Sequence, residues 1–456
     1  MFTRRAIAVA IVLTVTHVTA AQVHAQAPQS SDMRPYRGLF GAPSSSDSPH
    51  SLVATASVFA AYDDNVYEAL TNRRSGSRGI QESGTFQGAN AGLQYAFQVD
   101  RDRFDFSGQS GAQVSYYLQE GDSDVLPAYQ GSLAFGARLT RSLSFAAMQA
   151  VGYSSVYAST LGPAVDDSLG SEIAVADDID FALFEERSVR TSTRMALTQS
   201  FGRYATLGAS YLLSTRTSID ADSLPGDSLL RDYVSHRATL RFRYARPMTR
   251  NATLRLGYGV RWTDRERIAG EPDIMHNIDA GVDYSRALSF SRRTSFSFGS
   301  GSAITVSDEV PAVDGERRVQ ARLTGNAALV HQMGRTWTAD LRYTRGFRTR
   351  EGFDQLYFTD ALTASIGGLV TRRLQLGANA TWAKSSLDYD ASRGQNNRWA
   401  SGQATYGITS FLAAYARYVY VHYRFDEGIP LDARFPLQLD RHGVRIGLTT
   451  SIPLIR

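Results

Sequence analysis

From residue 51 onward, apolar and polar side chains take turns along the chain. In "RATLRFRYARP", Arg237, Thr239, Arg241 and Arg243 occupy one parity and Ala238, Leu240, Phe242 and Tyr244 the other. The next run, "TLRLGYGVRW", sets Leu254, Leu256, Tyr258, Val260 and Trp262 against Thr253, Arg255, Gly257, Gly259 and Arg261. The pattern returns in "VQARLTGNAALV", "TWTADLRYTR", "LQLGANATW" and "HNIDAGVDYS". A period of two describes strands with one apolar and one polar face. A sustained helical period of about 3.6 residues is found nowhere.

Two kinds of connection separate these runs. One is short and usually carries arginine: "VDRDR", "LTRSL", "FGRYA", "MTRNA", "FSRRT", "MGRTW", "VTRRL" and, without arginine, "ITSFL". The other is longer and more variable, as in "YEALTNRRSGSRGIQESG" and the stretch from Ala158 to about Leu183. Short turns at one end and long loops at the other describe an up-and-down antiparallel meander. The runs predict about eighteen strands, at 52–66, 85–99, 103–118, 129–139, 143–157, 184–200, 205–218, 232–246, 252–266, 274–287, 294–307, 317–331, 336–349, 357–371, 374–387, 398–409, 411–425 and 438–454. An even number puts both termini on the short-turn side.

A soluble sandwich also alternates, but its strands are about five or six residues long, whereas these run to about 14. The polar parity is also too charged for an enclosed core. Turned toward lipid, each arginine near the midplane would cost about 2–4 kcal/mol. The apolar parity therefore faces outward and the polar parity lines a wet lumen, which at about eighteen strands is too wide for side chains to fill. The expected fold is all-β: a transmembrane up-and-down antiparallel β-barrel preceded by a cleaved signal peptide, in the outer membrane of a Gram-negative bacterium.

The N-terminus, residues 1–27, supplies that leader. Arg4 and Arg5 precede an apolar stretch from Ala6 to Val15, with small residues near Ala25 and Ala27. Residues 28–50, rich in Ser, Pro and Gly, read as a flexible periplasmic lead-in, and 51–456 as the barrel. Beyond the leader no run approaches the roughly 18 apolar residues of a membrane helix. Cysteine is absent, which excludes a lipid anchor on a thiol, disulfides and thiolate chemistry. Without the leader, 46 basic residues face 44 acidic ones, a balance that argues against nucleic acid as a partner.

On the first strand, Leu52, Ala54, Ala56, Val58, Ala60 and Tyr62 share the outward parity. Asp63, Asp64 and Asn65 then reach the far rim beside Tyr62, where their polar groups are expected in water. A leader, a short linker and a first strand ending in "YDDNV", Tyr62 to Val66, resemble the beta-barrel porin 2 group of outer-membrane proteins. Some members of that group accompany exopolysaccharide secretion systems. The resemblance implies an outer-membrane barrel that passes polymer or solute, with polysaccharide-export components as partners. The chain ends on Arg456 rather than on the Phe or Trp usual for such barrels, which lowers the expected efficiency of recognition by the barrel-assembly machinery.

The residues point to passage rather than catalysis: a porin-like channel for hydrophilic solutes or exopolysaccharide, with no cofactor and no metal. Pore-lining candidates are Arg241, Arg243, Arg255, Arg261, Arg318, Arg322 and Arg342 with Asp279, Asp283 and Asp340. The loop acids Asp166, Asp167, Glu172, Asp177, Asp178 and Asp180 belong either to a constriction facing that arginine wall or to an external loop bridged to lipopolysaccharide by divalent cations. Outer-membrane lipid and lipopolysaccharide are the expected surroundings. The histidines lack metal-ligand spacing, and Asp63, Asp64 and Asn65, adjacent on alternating faces, do not converge on one calcium ion. The alternatives are a structural or adhesive barrel with a closed lumen, and an outer-membrane hydrolase built on His422 or His442 with a serine and a carboxylate.

Overall fold

The computed structural model describes residues 50–66, 82–100, 103–119, 122–158, 182–219, 233–249, 251–265, 273–287, 293–307, 318–350, 353–387, 394–426 and 438–455. The expected leader, most of the lead-in, the loop acids at 166–180 and Arg456 lie outside these residues. In chain order the strands are β1 (His50–Val66), β2 (Glu82–Asp100), β3 (Phe104–Gln119), β4 (Asp122–Arg138), β5 (Leu143–Ala158) and β6 (Ala182–Phe201). Then come β7 (Ala205–Ser218), β8 (Tyr233–Pro247), β9 (Ala252–Arg265), β10 (Asp273–Ala287), β11 (Thr294–Ser307) and β12 (Arg318–Met333). The last six are β13 (Trp337–Arg350), β14 (Phe353–Leu369), β15 (Leu374–Leu387), β16 (Gly394–Gly407), β17 (Leu412–Phe425) and β18 (Gln438–Ile455).

Each strand pairs antiparallel with its neighbours in sequence, and β1 also pairs with β18, so the eighteen strands form one closed barrel. Closure leaves no unpaired sheet edge, the condition for a sheet to sit in hydrocarbon. Both β1 and β18 present their terminal ends on the short-turn side.

The short turns are closed by two local devices. In four of them a threonine hydroxyl accepts the backbone N–H groups two and three residues on: Thr140 from Ser142 and Leu143, Thr249 from Asn251 and Ala252, Thr371 from Arg373 and Leu374, Thr409 from Phe411 and Leu412, at 3.0–3.3 Å. In two others a glycine takes up the left-handed conformation that a three-residue hairpin needs, Gly202 at φ 66° and Gly334 at φ 64°. Replacing Thr371 by alanine is expected to cost about 1 kcal/mol, read as an earlier urea midpoint of the folded barrel in detergent. Thr371→Ser, which keeps the acceptor, is expected to restore the midpoint.

The parities sort as two solvents require. Large apolar side chains left exposed on the protein surface include Val58, Leu93, Leu240, Leu256, Ile278, Leu323, Leu341, Leu362, Ile366, Ile446 and Leu448, each on the parity opposite the one that faces the lumen. Aromatic rings flank this band. Toward the short turns stand Phe97 with Phe106, Tyr204 with Tyr244, and Tyr284 with Phe298, at centroid distances of 5.1, 6.3 and 5.8 Å. Toward the loops stand three tyrosine–histidine pairs, Tyr211–His236, Tyr258–His276 and Tyr418–His442, joined between hydroxyl and Nδ1 at 2.6–2.8 Å. Rings with an apolar body and a polar tip suit the two membrane–water boundaries.

Candidate functional site

The inner wall is built from the polar parity, and it is mainly basic. Arg243 from β8 and Arg255 from β9 both approach Asp283 from β10, at 3.6 and 3.7 Å, and Arg255 also donates to the Ser300 carbonyl at 3.0 Å. Two arginines thus share this carboxylate. Arg241, on the same face of β8, is exposed. Further round the wall, Arg342 meets Asp340 at 3.1 Å, and Asp340 also accepts from the Ser365 hydroxyl. Near the loop end Arg322 lies 4.9 Å from the centroid of the Phe358 ring, which Arg345, on the outward parity of β13, also approaches at 5.1 Å. Arg261, Asp279 and Arg318 lie in strands, but their side chains are outside those described.

Sequence reasoning left out a second set of inward arginines. Arg190 and Arg216 face each other across β6 and β7, and Arg417 and Arg445 across β17 and β18. Against the inward arginines of the described wall stand Asp63, Asp105, Asp283 and Asp340. The signal was present in the same alternation that exposed the others, in "SVRTSTR" and "YARYVY".

The inward groups near the loop end of β14 to β17 are packed rather than wet. Tyr357, Thr359, Ser385, Gln395, Asn397 and Tyr423 are all buried, and the Thr359 and Ser385 hydroxyls are bonded at 2.8 Å. This sector of the lumen is filled, and the accessible wall is the one that carries Arg241.

At the seam the rim motif takes a different place from the one expected of it. Asp63 is only 3 % exposed and Arg441 of β18 only 7 %. The arginine Nε donates to both carboxylate oxygens, at 3.1 and 2.8 Å, and its Nη2 stands 2.6 Å from Oδ2. Asp64 accepts the backbone N–H of His442 at 2.6 Å. The pair of acids therefore fastens the first strand to the last, and Asp63 is out of water because it faces inward where the wall is filled. Below it, the Arg445 guanidinium lies 3.7 Å from the centre of the Phe59 ring. The side chain of Asn65 is outside those described.

The histidines proposed for a hydrolase have other partners. His422 meets Asp440 at 2.6 Å and His442 meets the Tyr418 hydroxyl at 2.7 Å, both on the outward face, and neither contacts a serine among the described residues. No group of three or more candidate metal ligands occurs among the described residues.

No family model matches the chain, and no curated protein matches it. Solved structures similar to it include OpdQ of Pseudomonas aeruginosa, at 12% identity over 89% of this chain and 98% of that one, with a TM-score of 0.42. The FrpB iron transporter of Neisseria meningitidis is similar at 9% identity over 89% and 81%, with a TM-score of 0.46. OccAB2 of Acinetobacter baumannii is similar at 11% identity over 89% and 98%, with a TM-score of 0.43.

Proposed function

We propose that the protein is an outer-membrane channel through which small hydrophilic solutes diffuse, with anions favoured over cations. The single observation that carries this is a closed eighteen-strand barrel, apolar outside, whose accessible inner wall keeps an excess of arginine over aspartate. A field of one sign along a water-filled passage concentrates counter-ions there. Nothing in this reading requires chemistry on the solute.

The test is a planar bilayer carrying the refolded protein in a salt gradient. Discrete conductance steps and an anion-selective reversal potential are expected. Replacing Arg241, Arg243 and Arg255 together by glutamine leaves Asp283 uncompensated, and the anion-to-cation permeability ratio is expected to fall at least about threefold. A ratio that does not move would remove the arginine wall from the account.

One observation favours a second reading, a structural barrel with a closed lumen: the filled sector behind β14 to β17. A folded barrel that inserts into bilayers and passes no current decides for it. Passage of exopolysaccharide is supported only by the resemblance at Tyr62 to Val66. Since Asp63 and Asp64 bind β18, that stretch speaks for closure of the barrel rather than for cargo.

A further inference from the structure

We infer that the outward face of β15 to β18 binds one phosphorylated, acylated lipid of the outer leaflet, a lipid A-type headgroup, in a fixed place. The inference rests on the outer-membrane reading above and adds a site to it. Three rows of paired residues carry it. Nearest the loops, Lys384, Asn396, Arg424 and Gln438 stand side by side across the four strands. Next comes Trp382, Arg398, His422 and Asp440, and then Ala380, Ala400, Tyr420 and His442.

The acids of this surface are already engaged. Asp440 accepts from His422 at 2.6 Å, from Gln438 at 3.1 Å and from Tyr420 at 3.4 Å, and Asp360, opposite Lys384, is held by Tyr343 at 2.5 Å and Arg345 at 3.6 Å. Lys384, Arg398 and Arg424 are exposed and make no ion pair among the described residues. With Asp360 offset by Arg345, three cations stand against Asp440 alone, and the surface on the loop side of the Tyr418–His442 pair keeps a net positive charge. Arginine matches phosphate oxygens with paired N–H groups.

Immediately below, on the same strands, the outer surface is hollowed. A groove of about 540 Å³ is lined by Leu376, Ala378, Gly402, Ala404, Tyr418 and Ile446 among others. An apolar groove beneath a cationic row matches an amphiphile with an anionic head and hydrocarbon tails, and the charge selects a phosphorylated lipid over a zwitterionic one.

Native mass spectrometry of the detergent-solubilised barrel, titrated with bis-phosphorylated lipid A, tests this. Wild type is expected to bind it about thirtyfold more tightly than the variant R398Q/R424Q, at about fivefold for each basic side chain removed. Dephosphorylated lipid A is expected to bind both proteins alike. Gly402→Leu, at a position where a Cβ meets only the Gly377 carbonyl at 4.0 Å, fills the groove without straining the backbone and is expected to weaken both lipids. Equal binding by R398Q/R424Q, or equal binding of phosphatidylethanolamine by wild type, overturns the site while the barrel stands. Loss of the outer-membrane reading would show separately, as a protein whose gel mobility does not depend on boiling and which takes up no detergent, and it would overturn the site as well.

Discussion

Asp63→Ala is expected to lower the stability of the barrel by about 3–5 kcal/mol, because it leaves the Arg441 guanidinium buried without its carboxylate. Both groups are almost fully enclosed, and three contacts of 2.6–3.1 Å join them. The loss should be read as a lower temperature at which the compact gel band converts to the unfolded one. Replacing both members by apolar residues of similar size, D63L/R441M, removes the charge together with its partner and is expected to recover most of the loss. A single alanine variant as heat-stable as wild type would mean that the seam is held by its backbone pairing alone.

A second large effect separates the two faces directly. Ala364 lies outward near the middle of the apolar band, opposite Leu341, between the Trp337 ring toward the turns and Tyr343 with Asp360 toward the loops. Ala364→Arg is expected to cost about 2–4 kcal/mol, the depth-dependent penalty of a guanidinium facing lipid. Its neighbour Thr363 faces the lumen, where it bonds Thr381 at 3.2 Å. Thr363→Arg is expected to cost less than Ala364→Arg, since that side chain points away from hydrocarbon. Urea titration of refolding into lipid vesicles measures both. Equal penalties would erase the distinction between inside and outside.

The alternation alone makes the strands and their two faces legible: Leu254, Leu256 and Tyr258 point outward and Arg241, Arg243 and Arg255 inward. Strand ends were harder. β4 begins at Asp122 rather than near 129, and it includes Pro127 paired opposite Val114. Above the hydrocarbon both faces of a strand meet polar surroundings, so nothing in "DSDVLPAYQ" keeps a period of two, although the backbone ladder continues. The rim acids show the same limit from another side. Their local sequence reads as a loop entry, and their partner lies far along the chain, so no spacing rule could connect Asp63 with Arg441. The groove beneath the outward cations was equally hidden, since small residues such as Ala378 and Gly402 acquire meaning only when four strands lie side by side.

The hydrogen bond that closes the ring spans 378 positions of sequence. All other neighbouring strands are joined by nearby chain and can zip in order as the polypeptide arrives, but this junction must wait for the last hairpin. Until then Asp63 and Arg441 remain apart and hydrated, and their meeting, with the loss of that water, is the step that commits the chain to a ring.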